Sequence, residues 1–377
     1  MRLSASSSNL VRGTIADYVD RRRYKSESGE CLESGDSAGI LLVSGSNGNS
    51  IISNSLTHSG DGFFIGNSCQ RASHNNYVYG NDGSYSPHNA FECTFSGGNV
   101  FERNTANASD YGFWLGYSGN TRVTGNEISG NRFAGIAVEH GVGNEFDRNT
   151  ISRNSHGVRL WADNNNCLFP DCGTTCPSAR YRIHHNNLTL NTDGVRIETS
   201  SDRLVWRNHL TNNTNQNVYT SGASSPVRVE QNNLTCQGTT ASGEPVRNAA
   251  QCRYAAYNEV AAGRDVVALR NWWGTTSASS VTPLIFDQED DPSKSRVLYN
   301  PFLHEPIPAT SGASGPGVGQ WMTTEPLKQA SAAPFADRGQ QLVFYNNRVY
   351  VFGGQGPGSI PQTGVYYAAL RPDGTET

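Results

Sequence analysis

The feature that most restricts this chain is the periodic placement of one residue type. Asn54, Asn81, Asn104, Asn126, Asn149, Asn186, Asn208 and Asn232 follow one another at steps of 22 to 27 residues, with a single step of 37. Three positions before them stand Ile51, Val78, Phe101, Val123, Phe146, Ile183, Val205 and Val229, all apolar. Two positions after them stand Leu56, Gly83, Ala106, Ile128, Ile151, Leu188, Leu210 and Leu234, all apolar or small. A period of this length marks a stack of supersecondary units, each burying its apolar side against the next.

Eight or nine residues after each of the first six asparagines, a short strand pattern opens, usually with glycine. The copies are Gly62-Phe-Phe-Ile, Ala90-Phe-Glu-Cys, Gly112-Phe-Trp-Leu, Gly135-Ile-Ala-Val, Gly157-Val-Arg-Leu and Gly194-Val-Arg-Ile, with Gly39-Ile-Leu-Leu as an earlier one. Alternation places the residues one and three after the opening on one side. Those residues form a third apolar wall, from Phe63/Ile65 to Val195/Ile197. Three inward walls per coil describe an all-β parallel β-helix. Each coil then advances about 4.8 Å, so equivalent residues become in-register neighbours. The repeated asparagine is expected to serve left-handed turns and to stack as an amide ladder.

This Asn-x-Ile/Leu and Gly-apolar-x-apolar period resembles the right-handed parallel β-helix repeats of pectate-lyase-like and alginate-epimerase-like carbohydrate-processing proteins. The resemblance implies the fold and a carbohydrate-active role without fixing the reaction. Residues 1–35 read as a lead-in or cap and 36–305 as the β-helix. Within the latter, Trp272 and Trp273 close the end. Residues 306–336 are rich in Pro, Gly, Ala and Ser and read as a linker. Residues 337–377 resemble part of a kelch-type blade, with Gly353-Gly354 as the signature pair. One blade cannot close a propeller, so either a longer parent protein, the favoured expectation, or packing of this hairpin against the β-helix is expected.

A net charge of -4 offers no footprint for a phosphate backbone, so nucleic acid is not an expected partner. No apolar run is long enough to insert into a membrane. Eight cysteines in turn-rich sequence fit an oxidising compartment, secreted, periplasmic or at the cell surface. The Ser-rich start has no signal-peptide core, so any export signal is expected upstream or removed. The chain is expected to act as a monomer. No metal or cofactor is expected: Cys167, Cys172 and Cys176 read as a loop disulfide set rather than a zinc site, and Cys236 and Cys252 as a second bridge. Two methionines and scattered histidines give little to a copper ion.

Strand residues that do not point inward must face solvent. Two places after the opening, the outward row reads Leu41, Phe64, Glu92, Trp114, Ala137, Arg159, Arg196; four places after, it includes Glu139, Trp161 and Glu198. Phe64, Trp114 and Trp161 are the expected sugar platforms, with Arg196 and Glu198 as polar contacts. Glu92 and His88 are the expected acid/base pair, with Asp61, Glu139 and Arg159 as further catalytic candidates. A surface ion-pair ladder accounts for Glu139, Arg159, Arg196 and Glu198 equally well. The function expected is binding of a polysaccharide, with its cleavage or epimerisation, by a lyase, hydrolase or epimerase, left open. The alternative is a non-catalytic module that binds glycan or protein.

Overall fold

A computed structural model describes residues 1–19, 37–66, 69–162, 178–236 and 252–308, together with the backbone of short strands elsewhere. The predicted disulfide loop at Cys167–Cys176, most of the linker and the Gly353-Gly354 pair lie outside the described residues. The chain divides into two compact units, Met1–Gly315 and Pro316–Thr377.

The first unit is built from three stacks of parallel strands. The first wall has eleven strands, from Arg2–Ser4 through Asp61–Ile65, Asn89–Cys93, Tyr111–Trp114, Ala134–Glu139, His156–Trp161, Asp193–Glu198 and Gln216–Ser221 to Ile285–Phe286. The second wall also has eleven, from Leu10–Arg12 to Val297–Leu298, and the third has six, from Thr105–Asn107 to Asn233–Thr235. Strands neighbour in chain order within each stack, so the chain winds coil upon coil. Residues 1–19 already complete a coil, because Arg2–Ser4 and Leu10–Arg12 pair in register with the strands that follow them.

All three predicted apolar columns line the axis. Ile51, Phe101, Val123, Phe146, Ile183, Leu56, Ile128, Ile151, Leu188, Phe63, Phe113, Val158 and Ile197 are fully buried in one continuous core. Phe91 and Phe113 stack at 5.0 Å between ring centres, as in-register neighbours should.

The asparagine ladder forms as the period implies, but its backbone logic differs from the expectation. The left-handed residue is the one before each asparagine: Ser53, Arg103, Arg148, His185, Arg207, Gln231 and Arg270 have φ between 53° and 56°, and glycine takes the place at Gly80 and Gly125. The asparagine contributes its amide. Asn126 donates its backbone N–H and side-chain Nδ2 to Asn149 Oδ1, both at 2.9 Å, and Asn149 does the same to Asn186. Each Nδ2 also reaches a main-chain carbonyl, as Asn149 does with Val123 O. Polar groups at a buried corner are thereby paired coil to coil.

The glycine opening the first-wall pattern is needed for closeness. A Cβ added at Gly135 would lie 2.8 Å from both Gly157 O and Ile151 Cγ2. Gly135→Ala is expected to cost about 2 kcal/mol through overpacking, read as a lower urea midpoint at unchanged m-value.

At the end of the solenoid Trp273 is 1% exposed beneath Tyr299, the capping role expected for it. Cys236 and Cys252 are joined in a disulfide. In the second unit, Gln341–Tyr345, Arg348–Phe352 and Val365–Ala369 form a three-stranded antiparallel sheet.

Candidate functional site on the first wall

The opening glycine of each first-wall strand drops out of the coil-to-coil pairing: Ala38 pairs with Asp61 and Ile40 with Phe63, but Gly39 and Gly62 do not pair. The interruption breaks simple alternation. The residue before the glycine and the residue two after it then share the solvent side, as Tyr111 and Trp114 do with ring centres 4.8 Å apart. Two adjacent rows of side chains therefore face outward. One contains Asp61, Asn89, Tyr111, His156 and Asp193. The other contains Phe64, Glu92, Trp114, Arg159 and Arg196, continuing to Tyr219, Tyr257 and Phe286.

Asp61, His88 and Glu92 converge. His88 Nδ1 is 3.0 Å from Asp61 Oδ1 and 4.0 Å from Glu92 Oε2. Asn89 donates its backbone N–H and its Nδ2 to the same Asp61 oxygen, each at 3.0 Å, and its Nδ2 to Glu92 Oε2 at 2.6 Å. The Asp61 side chain is 3% exposed and that of His88 63% exposed. A buried carboxylate thus holds an open imidazole by one nitrogen. The hydrogen bond to Asp61 lifts the His88 pKa from its ordinary 6.5 to about 9, against the opposing effect of burial. At neutral pH His88 is an imidazolium, able to donate a proton, beside the Glu92 carboxyl group.

One and three coils further on, the surface turns aromatic. Trp114 stands in register beside Glu92, and Trp114 and Trp161 meet edge to face at 5.5 Å. Burial raises the pKa of the Tyr111 phenol, which therefore stays protonated over the physiological range. The Arg159 guanidinium lies 4.6 Å from the Trp161 ring centre and bonds Glu198 through Nε at 2.9 Å. Arg196 bonds Glu198 at 2.9 Å and Asp193 at 3.3 Å, and His156 Nδ1 lies 3.0 Å from Asp193. Two guanidiniums directly in register are tolerated because these carboxylates stand between them.

The expected residues therefore divide. His88, Asp61 and Glu92 form one cluster. Trp114 and Trp161 form a partly exposed aromatic patch beside it. Arg159, Arg196 and Glu198 form the ion-pair ladder. Glu139 sits beside Trp161 in the strand register rather than with Glu92. Phe64 is a correction: it lies on the outward row but is 6% exposed, packed with Leu41, Val43 and Ala38 in a separate apolar cluster, and presents no ring face to a ligand. Leu41, its register neighbour on the preceding coil, and the nearby Ala38 and Val43 are aliphatic, so burying it against them is favourable. Tyr219, Tyr257 and Phe286 also do not add platforms: Tyr257 and Phe286 stack at 4.3 Å with 9° between planes, which covers their faces.

Asn89 and Tyr111 were not among the sequence candidates. Their signal is a polar or aromatic residue immediately before the opening residue, Ala90 or Gly112, a position that strict alternation assigns to the interior.

The three stacks of parallel strands, wound in chain order and in register, decide the fold. The chain is a right-handed parallel β-helix. A family profile described as "Periplasmic copper-binding protein (NosD)" matches residues 59–246 of this β-helix. Among curated proteins none matches it. Similar solved structures include the Agl-KA catalytic domain, at 12% identity and TM-score 0.44, covering 79% of this chain and 53% of that one. The β-helix thus spans about half of that domain. A mutant of the periplasmic alginate epimerase AlgG is 14% identical with TM-score 0.49, over 81% and 72% of the two chains. The A-module of the Azotobacter vinelandii mannuronan C-5 epimerase AlgE4 is 12% identical with TM-score 0.39, over 81% and 89%.

The profile's description raises copper. Two groups among the described residues bring three ligand-type atoms within 4.8 Å of one another: Asp61, His88, Glu92 and, on the second wall, Glu145, Asp147, His184. In the first, the oxygens already receive Asn89 and His88. In the second, Asp147 takes Arg122 at 2.8 Å and Arg148, and Glu145 takes His184 at 2.8 Å. The second wall is the cross-coil pairing surface that its mixed charges imply. Cys93 is buried, and burial pushes its thiol to about 12. The carboxylates of both sets are already bonded within the protein and each set contains a single imidazole, so these donor sets fit a copper ion poorly.

Proposed function

We propose that the first wall binds a polysaccharide across Trp114 and Trp161, and that His88, Asp61 and Glu92 carry out proton transfer on a sugar held there. The observation that carries this reading is the His88 imidazole, exposed at its far side and held cationic by a buried carboxylate, with a second carboxyl group 4.0 Å away. Glycoside hydrolases place two carboxyl groups about 5 to 9.5 Å apart on either side of the bond they break. Here the acid and the candidate base stand together on one side. That arrangement suits abstraction of a proton next to a sugar carboxylate, as in a lyase or an epimerase. Glu92 takes the carbon-bound proton, the bonding pair moves into the carboxylate, and the imidazolium offsets the charge that develops. The substrate class favoured is an acidic polysaccharide, met outside the cytoplasm, in keeping with the periplasmic description of the matching family.

A non-catalytic glycan module is the second reading, favoured by the Arg159–Glu198–Arg196 ladder, whose charges satisfy one another. Affinity electrophoresis in gels containing polyuronates or neutral glucans tests the shared claim. Retention by an acidic polysaccharide is expected, and Trp114→Ala or Trp161→Ala should weaken it about tenfold, or 1.4 kcal/mol. Equal retention of parent and both variants, or retention by no polysaccharide, contradicts it. His88→Gln separates the two readings: loss of turnover with binding kept marks the enzyme, while binding without turnover in the parent marks the module.

A further inference from the structure

Inside the solenoid, at the corner between the first and second walls, one cation is buried with no salt-bridge partner among the described residues, the adjacent Asp202 acting on it only at longer range. Arg203 is 1% exposed and stands in register between Tyr181 and Val227, both core residues. Its Nη2 reaches Ser178 O at 3.4 Å, an oxygen that already accepts Ser201 N–H at 2.9 Å. Its Nε and Nη1 meet no acceptor among the described residues.

The corner around it is rich in donors. Gly141 N–H donates to Tyr181 Oη at 3.0 Å; Tyr181 Oη is 2.9 Å from Ser178 Oγ, which is 2.6 Å from Ser200 Oγ. Three hydroxyl hydrogens share two links, so whichever way the chain of bonds runs, one hydroxyl keeps a hydrogen that neither link uses. Ser224 Oγ is already committed to Ser221 O. Burial lowers the Arg203 pKa only to about 9, so the guanidinium is charged at neutral pH. A buried charge left unpaired is strongly unfavourable, and the spare polar groups identified here among the described residues, Arg203 Nε and Nη1 and one hydroxyl hydrogen, are donors.

We infer that this corner binds a small monovalent inorganic anion of chloride type, held by Arg203 Nε and Nη1, as a structural ion of the solenoid. The inference is independent of the polysaccharide reading. Its test is a crystal of the intact chain grown in bromide, with anomalous data, together with thermal unfolding in sodium chloride and sodium gluconate at equal ionic strength. The expected results are an anomalous peak within about 3.5 Å of the guanidinium and a Tm several degrees higher in chloride, a difference that Arg203→Met abolishes. Anomalous maps without a peak at Arg203, or a chloride effect of the same size in parent and Arg203→Met, overturn the inference. The bromide map of the parent decides the matter even where the variant does not fold.

Discussion

Asn149→Ala is expected to destabilise the solenoid by about 4 kcal/mol or more, far beyond the loss of one hydrogen bond. Asn149 is 1% exposed, and its amide makes four bonds: it accepts Asn126 N–H and Nδ2, and donates to Val123 O and Asn186 Oδ1. Alanine leaves partners of those bonds buried and unpaired, at about 1–3 kcal/mol for each group left unsatisfied. Stacked repeats contact only their neighbours, so damage in a central coil also weakens the coupling between the two halves. Urea unfolding should show a lower midpoint and a broadened or split transition. Asn187→Ala, one residue outside the ladder, should stay within about 0.5 kcal/mol of the parent. Equal effects of the two substitutions would deny the ladder its structural role.

Asp61→Asn is expected to remove the cause of the raised His88 pKa. NMR titration should find the parent imidazole titrating near 9 and the variant lower by about two units or more. If the site turns over substrate through an imidazolium acid, kcat/KM falls as pH rises through about 9 in the parent, and this limb moves to lower pH in the variant. The sign for stability is the same. A folded-state pKa above the ordinary 6.5 gives a contribution fully present below pH 6.5 and lost as pH rises through about 9. Because the His88 side chain is 63% exposed, solvent screens the pair, and that contribution is about 1 kcal/mol. A His88 titration unchanged by Asp61→Asn would separate the two residues.

The fold was legible because its cause is periodic. Ile51 to Val229, Leu56 to Leu234 and the first-wall pairs are repeated in sequence at the spacing with which they are stacked in space, and each lines the axis. The ladder was legible as a column of asparagines, but not which residue takes the left-handed turn, since Arg, His, Ser and Gln carry no such mark. The site was legible in part. Glu92, His88 and Asp61 share outward positions on neighbouring coils, yet their convergence runs through Asn89, which alternation places on the wrong side. The burial of Phe64 depends on Leu41, Val43 and Ala38 gathering on a face expected to be wet. Arg203 stands at an inward position where every register neighbour is apolar or aromatic, a conflict that only the register exposes.

The most direct test of the proposed site is a crystal structure with an oligosaccharide of four to six residues, cut from whichever polysaccharide the protein retains. The expected result is a sugar chain crossing the first wall, packed on Trp114 and Trp161, with one residue in hydrogen-bond reach of His88 and Glu92. A chain lying along the second or third wall, or reaching neither tryptophan nor His88, contradicts it.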